Sequence, residues 1–174
     1  MNSMIALAID LEHDNGKIIE IGLTEINLKK RVLGKTVSLL IKTEDRVSDH
    51  VYELTGLTKG KLNKGGMSLE DAIDKLFYKY GAANRLIVTD SEYEVPLIEK
   101  NWLTYCPYFQ LDFKFSLDRI NVGSLFKVAN RDNTSWSLKE MLDVLCREEQ
   151  QRPHRAGSDS IDISKVFLKL TENM

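Results

Sequence analysis

The chain has 174 residues, of which 43% are hydrophobic and 29% are charged. These values are typical of a globular protein, and the length suits one domain over residues 1–174; they exclude an intrinsically disordered chain. The formal net charge of −2 excludes a protein that holds long duplexes by charge alone, but not an enzyme that takes one strand end into a local cleft.

The first forty residues predict three consecutive strands. Residues 5–11 form a nearly unbroken apolar run, which is typical of a central strand covered on both faces. Further strands are predicted over residues 17–27 and 32–42, after turn-forming residues at 13–16 and 29–31. Because the turns are short, we expect each strand to pair antiparallel with the one before it.

Two helices are predicted next. Ser48 or Asp49 can cap a short helix through Leu54, which Gly56 ends. Ser68 caps the following helix. Its apolar residues recur with the helical period and form one stripe: Leu69, Ala72, Ile73, Leu76, Phe77 and Tyr80.

The second half of the chain alternates strands and helices. The predicted elements are a strand over 85–89, a helix over 93–103, a short strand over 120–122, and helices over 124–128 and 157–170. Ser137 and Glu140 form a capping box that begins one more helix, whereas the aromatic-rich residues 105–119 are ambiguous. Three strands followed by alternating elements predict an α/β fold, with a mixed sheet flanked by helices.

Two acidic residues, Asp10 and Glu12, end the first apolar run. They share strand parity, so their side chains project from the same face. Carboxylates at the end of a buried strand are costly without a counter-charge, and the usual one is a hard divalent cation bound by oxygen ligands. The pair alone is a weak signal, because charged residues often mark the end of a strand.

The last helix carries a third acidic residue. Asp159 lies in its first turn, on the same face as Ile163 and Val166 of the apolar stripe. A purely structural role at the positive end of the helix dipole is the alternative. His154 lies five residues earlier in the preceding loop, where it is either part of the same cleft or an ordinary solvent-facing histidine.

Glu94 is the acidic candidate from the middle of the chain. Leu97 and Ile98 lie three and four residues later, so Glu94 points inward at the start of a helix that follows a predicted strand. Asp90 competes with it, but at the end of that strand Asp90 also fits a loop or capping residue. The helical phase favours Glu94.

In this order the motifs resemble those of the DEDD 3′–5′ exonucleases, in the branch with a histidine in its third motif (DEDDh). That branch includes the proofreading subunit of bacterial DNA polymerase III, RNase T and small-RNA-trimming exonucleases. AIDLE with KIIEIGLTEIN resembles the first motif, SEYEVPLI occupies the second, and HRAGSD resembles the third. VSDHVYELTGLTKGKL and WSLKEMLDVL resemble segments between them. The resemblance covers nearly the whole chain and implies an RNase H-like mixed five-stranded sheet flanked by helices.

The resemblance also implies the chemistry. It implies two Mg²⁺ or Mn²⁺ ions, with Asp10 bridging both, Glu12 and Asp159 on the more tightly held ion, Glu94 at the second motif, and His154 as general base. The implied activity is removal of nucleoside 5′-monophosphates from the 3′ ends of single-stranded DNA or RNA by two-metal-ion hydrolysis. Nucleic acid is therefore the expected partner, and both monomers and homodimers occur among the relatives.

The substrate contacts are carried over in the same way. Leu11 and His13 would lie beside the terminal nucleotide, and Thr55, Gly56 and Leu57 would pack on its base. His13 stands where a threonine is common. Six basic residues flank these motifs and are either phosphate contacts or ordinary solvated charges: Lys59, Lys61, Lys64, Arg147, Arg152 and Arg155.

The chain departs from the family pattern at Glu94, where an aspartate is usual. The extra methylene would retune the second ion, favour Mn²⁺ or weaken catalysis. The alternative function is therefore a catalytically weakened RNase H-like module that binds nucleic-acid ends or a protein partner. A cytoplasmic protein without membrane association is expected, since Cys106 and Cys146 lack metal-site spacing and neither a signal-type segment nor a membrane-length apolar run is present.

Overall fold

The structure is a computed structural model that describes residues 4–106, 115–150 and 152–173. Its five strands form one mixed sheet in the order β3-β2-β1-β4-β5. The strands are β1 (Ile5–Asp14), β2 (Lys17–Asn27), β3 (Val32–Leu40), β4 (Ile87–Thr89) and β5 (Arg119–Asn121). The first three pair antiparallel, whereas β4 pairs parallel with both β1 and β5. The predicted mixed five-stranded sheet is confirmed.

Seven α-helices accompany the sheet among the described residues. They are α1 (Asp49–Thr55), α2 (Lys59–Gly65), α3 (Leu69–Asp74), α4 (Glu94–Tyr105), α5 (Val122–Asn130), α6 (Leu138–Cys146) and α7 (Ala156–Leu170). A π-helical turn, Lys75–Lys79, continues α3. None of the helices in the described part of the chain is long and apolar enough to cross a membrane.

Most predicted elements are present, with bounds that shift by one or two residues, and the main differences lie at residues 59–65 and around residue 121. Residues 59–65, for which no helix was predicted, form α2, which Thr58 caps. Leu62 is the one buried residue of this helix, and one buried side chain produces no apolar stripe to detect. The last strand begins one residue earlier than predicted. Helix α5 begins two residues earlier, because the Asn121 side chain caps it by accepting a hydrogen bond from the Ser124 amide at 2.8 Å. Residues 107–114 of the ambiguous aromatic stretch lie outside the described residues.

The core lies on both sides of the sheet because β1 is buried on both faces. Leu7 and Ile9 pack in one cluster with residues of α3 and α4. Ala6 and Ala8 point to the other side, into a cluster with residues of α5, α6 and α7. This alternation is what the period of a strand requires, and it confirms the prediction of a central strand covered on both faces.

The sheet brings the ends of β1 and β4 together. These strands are parallel, and Leu7 pairs with Ile87 while Ala8 pairs with Val88. The same register, continued by two residues, brings Asp10 next to Asp90 at the carboxyl ends of both strands. In α/β sheets this edge is where binding sites are usually found.

Helix α7 lies directly against the backbone of β2 at Gly22. Gly22 is the partner of Asp10 in the β1–β2 pair. A Cβ atom at Gly22 would lie 1.8 Å from the carbonyl oxygen of Ala156, the first residue of α7. Only glycine therefore lets the first turn of α7, which carries Asp159, approach the end of β1.

Candidate functional site

Five carboxyl groups meet at the carboxyl end of β1. Asp10, Glu12 and Asp159 each offer a carboxylate oxygen, and the three atoms lie within 4.8 Å of one another. Asp10, Asp90 and Glu94 form a second group of the same kind. Asp10 belongs to both groups, so the two candidate cation sites share one side chain.

Each acidic residue is positioned by the end of an element. Asp10 and Glu12 lie near the end of β1, and Asp90 directly follows β4. Glu94 is the first residue of α4, and Asp159 lies in the first turn of α7. The structure thus brings together four acidic residues singled out from the sequence, which come from the start, the middle and the end of the chain.

Asp90, over which the helical phase favoured Glu94, directly follows β4, so its interpretation as a loop residue at the end of that strand is confirmed. The N-terminus of α4 at Tyr93 has no side-chain cap hydrogen bond, so Asp90 does not cap this helix. Its carboxyl group instead lies within reach of Asp10 and Glu94. This proximity depends on the parallel pairing of β4 with β1, which was not predicted from the sequence.

Burial raises the pKa values of all five carboxyl groups, and the neighbouring carboxylates raise most of them further. The pKa of Glu12 is raised to about 8, that of Glu94 to about 7 and that of Asp159 to about 6, each mainly by desolvation. Desolvation also raises the pKa of Asp10, well above its ordinary value, and that of Asp90. Without cations the cluster therefore retains protons near neutral pH, and divalent cations would replace them.

Glu94 carries a buried acceptor atom that the protein does not satisfy. The residue is 8% exposed, and its Oε1 accepts a hydrogen bond from the Ser91 hydroxyl at 2.7 Å. Its Oε2 is buried with no hydrogen-bond donor among the described residues. The Asp90 carboxyl group is in contact with the Glu94 carboxyl group, but two ionised carboxylates cannot hydrogen-bond each other. A proton or a cation must lie between them, which fits a metal site.

Asp159 is held by the loop that precedes α7. Its Oδ2 accepts a hydrogen bond from the backbone amide of His154 at 3.0 Å, and its Oδ1 accepts one from the Gln150 side chain at 2.8 Å. His154 is exposed and has a φ of 60°, in the left-handed region. The loop therefore fixes the backbone of His154 to the acidic cluster and leaves its ring at the surface. The contact with Gln150 was not predicted, and its loop position carries no sequence signal.

Arg155 is bound to a buried glutamate in the structure. Its Nε and Nη2 donate to the Glu20 carboxylate at 2.9 and 3.0 Å, and the Ser38 hydroxyl donates to the same carboxylate. Glu20 is fully buried, and it pairs with Glu12 across the β1–β2 ladder. Arg155 is therefore engaged within the fold, next to the acidic cluster.

The other basic candidates lie on the surface, where two of them bind neighbouring groups. The ammonium group of Lys59 bonds to the carbonyl of Glu44, and that of Lys61 donates to the carbonyl of Gly56 at 2.7 Å. The remaining three are exposed: Lys64, Arg147 and Arg152.

The residues expected beside the terminal nucleotide lie on and near β1. Leu11 is half-buried and His13 is exposed. The segment Thr55–Leu57 ends α1, which packs against β1. Gly56 adopts a φ of 66°, and Leu57 is only 2% exposed within a small core cluster. The Leu57 side chain thus anchors the Thr55–Leu57 segment in the core, and Gly56 is the most accessible residue of this segment.

Comparison with known proteins agrees with this geometry. The family model described as exonuclease (RNase T) matches residues 7–167. No protein among the curated sequences matches this chain significantly.

Solved structures share the fold. The nuclease domain of 3′hExo, a DEDDh family member bound to rAMP, superposes with a TM-score of 0.81 at 19% identity, over 98% of this chain and 93% of that one. A structure described as 3′-end specific recognition of histone mRNA stem-loop by 3′-exonuclease superposes with a TM-score of 0.77 at 19% identity. The match covers 99% of this chain and 84% of that one. Cell-death related nuclease 4 superposes with a TM-score of 0.79 at 12% identity, over 97% of this chain and 64% of that one. These likenesses confirm the RNase H-like exonuclease fold.

Proposed function

The chain belongs to the exonuclease family, and from this premise we propose that it is a metal-dependent 3′–5′ exonuclease of the DEDDh type. It removes nucleoside 5′-monophosphates from the 3′ ends of single-stranded DNA or RNA. The observation that carries the proposal is the meeting of Asp10, Glu12 and Asp159 in one group, because these residues fill the first and third motifs of the family.

The donor set suits Mg²⁺ or Mn²⁺. Both groups offer carboxylate oxygens alone, the ligands that hard divalent cations prefer, and the buried Oε2 of Glu94 has no donor among the described residues. Asp10, Glu12 and Asp159 would hold one cation, and Asp10 with Glu94 would hold the second. When bound, the two cations supply charge neutralisation at the scissile phosphate and lower the pKa of an attacking water.

His154 is the proposed general base. The hydrogen bond from its backbone amide to Asp159 keeps it beside the group formed by Asp10, Glu12 and Asp159. Its ring is exposed and therefore accessible to the end of a nucleic-acid strand. A ring nitrogen accepts the proton of the attacking water, the task for which histidine is the most common residue near neutral pH. Gln150 and Arg155 act through Asp159 and Glu20, respectively, and keep this loop in place.

The terminal nucleotide would lie along the end of β1, beside Leu11 and His13, with the Thr55–Leu57 segment under its base. Gly56 is suited to this contact because it has no side chain to block a planar base. The proximity of α1 to β1 supports this placement.

The alternative of a catalytically weakened module rests on Glu94. The Glu94 side chain is one methylene longer than aspartate, and its carboxyl group still lies in one group with that of Asp10. Asp90 adds a further carboxylate to the same group. The charge available to the second cation is therefore not reduced, which favours the catalytic proposal.

The test is digestion of single-stranded DNA and RNA oligonucleotides labelled at either end, with Mg²⁺, Mn²⁺ or EDTA. The proposal predicts a ladder of 5′-labelled products that shorten from the 3′ end, release of nucleoside 5′-monophosphates, and no cleavage in EDTA. Degradation from the 5′ end, or cleavage that survives EDTA, would contradict it. The ratio of DNA to RNA cleavage identifies the preferred substrate.

A further inference from the structure

We infer that Asp90 is a direct ligand of the second cation, so that Asp10, Asp90 and Glu94 hold this ion before any nucleic acid binds. The inference rests on the proposed function and adds a ligand to its site. It starts from the 4.8 Å limit within which one carboxylate oxygen of each residue lies.

The turn between β4 and α4 fixes Asp90 and Glu94 relative to each other. The Thr89 hydroxyl donates to the carbonyl of Ser91 at 2.7 Å, and the Ser91 hydroxyl donates to Glu94 at 2.7 Å while accepting from the Tyr93 amide at 3.2 Å. These bonds position the Glu94 carboxylate, and the Asp90 carboxyl group has hydrogen bonds to the backbone of the same turn at Asp90 and Ser91. Both groups are therefore held by contacts within the protein.

The unpartnered Oε2 of Glu94 is an independent indication of a ligand. The side chain is more than nine-tenths buried, and its neighbour is the Asp90 carboxyl group, which has no donor to offer once ionised. A buried acceptor without a donor costs free energy, and a cation shared with Asp90 and Asp10 removes that cost.

The number of ligands makes this site different from a cation site completed by its substrate. Mg²⁺ is usually held by one or two carboxylates together with substrate phosphates. Three carboxylates neutralise the ion without a phosphate, and affinity for such ions rises with the number of charged ligands. Arg155, the guanidinium next to the cluster, is bound to Glu20 and is not available to replace the ion.

The experiment is a titration of the metal-free protein with Mn²⁺ in the absence of nucleotide. Calorimetry measures the heat of binding, and electron paramagnetic resonance measures the concentration of free Mn²⁺. Two ions per chain are expected for the natural sequence. Asp90→Asn should keep one ion at its original Kd and raise the Kd of the other at least tenfold. Glu92→Gln is the matched control, because Glu92 is an exposed acid in the same turn, and it should change neither Kd.

Asparagine has the shape of aspartate, and its amide can donate to Glu94, so Asp90→Asn is expected to fold; circular dichroism checks this. If Asp90→Asn is unfolded, Asp90→Ala replaces it, and the same loss of affinity for one of the two ions is expected. The inference is overturned if the Asp90 variant binds two ions with unchanged Kd, or if the natural chain binds one ion until a nucleoside monophosphate is added. Two bound ions in a protein that leaves every strand intact would refute the nuclease proposal alone; 3′–5′ cleavage with one ion bound would refute only the role of Asp90.

Discussion

At the scale of single residues, Asp10 is the side chain shared by both cation groups. Asp10→Asn should lower the rate of cleavage by about 10³-fold or more, because a loss of several kcal/mol of transition-state stabilisation corresponds to such a factor. The metal-free protein should become more stable, because the substitution removes a buried carboxylate surrounded by four others. Its Tm at pH 8 should rise by about 2 °C or more.

These two effects are measured by single-strand digestion and by thermal melting in EDTA. Asp143→Asn is the control, because Asp143 is an exposed acid on α6. It should change neither rate nor Tm. A fall in both activity and metal-free stability for Asp10→Asn would mean that Asp10 has a structural role.

His154 provides the second prediction at this scale. His154→Ala should reduce kcat by about 10²–10⁴-fold, which is the usual contribution of a general base, while the Kd for a single strand stays within about twofold. The backbone amide that holds Asp159 remains in the variant, so the cation site is kept. His50→Ala, on the exposed surface of α1, is the matched control for losing an imidazole. Equal losses in kcat and in strand binding would exclude the role as base.

At the scale of elements, the position of α7 depends on Gly22. Gly22→Ala would place a methyl group 1.8 Å from the carbonyl oxygen of Ala156, and backbone on both sides prevents relief by a side-chain rotation. We expect a loss of about 3 kcal/mol or more in the free energy of unfolding, and loss of the stabilisation by Mn²⁺ as Asp159 moves away from Asp10.

Gly60→Ala is the control for the Gly22 substitution. Gly60 lies in α2, where a Cβ atom would make an ordinary contact of 3.8 Å, so alanine should stabilise the fold by about 0.5–1 kcal/mol. Urea unfolding with and without Mn²⁺ measures both variants. If Gly22→Ala kept its stability and its response to Mn²⁺, the close contact between α7 and β2 would not be what positions Asp159.

The same interface contains the ion pair between Arg155 and Glu20. Arg155→Gln leaves a fully buried carboxylate without its charged partner and should cost about 3–5 kcal/mol. Glu20→Gln should cost less, because the Arg155 side chain is 37% exposed and can turn to water. The double variant should be more stable than Arg155→Gln alone. Urea unfolding of the three variants tests this order, and equal losses for the two single variants would contradict it.

At the scale of the whole molecule, the acidic cluster links stability to pH and to metal. A carboxyl group whose pKa is higher in the folded than in the unfolded chain binds more protons when folded, so its contribution to stability is present at low pH and is lost as the pH rises. Here the window runs from about pH 4, the ordinary value for such groups, to about 8, the pKa of Glu12.

The Tm of the metal-free protein should therefore fall between pH 5 and pH 8, and Mg²⁺ or Mn²⁺ should raise it more at pH 8 than at pH 5. Asp10→Asn should weaken both trends. Thermal melts in EDTA and in saturating cation across this range provide the measurement. A metal-free Tm that rises steadily from pH 5 to pH 8 would show that the cluster does not dominate this dependence.

The sequence predicts those parts of the fold that leave a periodic or capping signal. The apolar run of β1, the meander and the capping box at Ser137 and Glu140 are of this kind, and the structure confirms them. Helix α2 has no apolar stripe and was missed.

Contacts between residues far apart in the chain leave no local signal. Arg155 bonds Glu20 across 135 positions, and no pattern at either residue predicts this. Glu94 was favoured over Asp90 on the helical phase of one segment. That Asp90 also lies beside Asp10 depends on the parallel register of β1 and β4, which appears only when the strands are paired.

The most direct test of the account is the anomalous diffraction of a crystal soaked with Mn²⁺ and a nucleoside 5′-monophosphate. We predict two Mn²⁺ peaks about 3.5–4 Å apart, both bonded to Asp10, one also bonded to Glu12 and Asp159, and the other to Glu94 and Asp90. An absence of peaks at these carboxylates, with Mn²⁺ bound elsewhere on the molecule, would contradict the account.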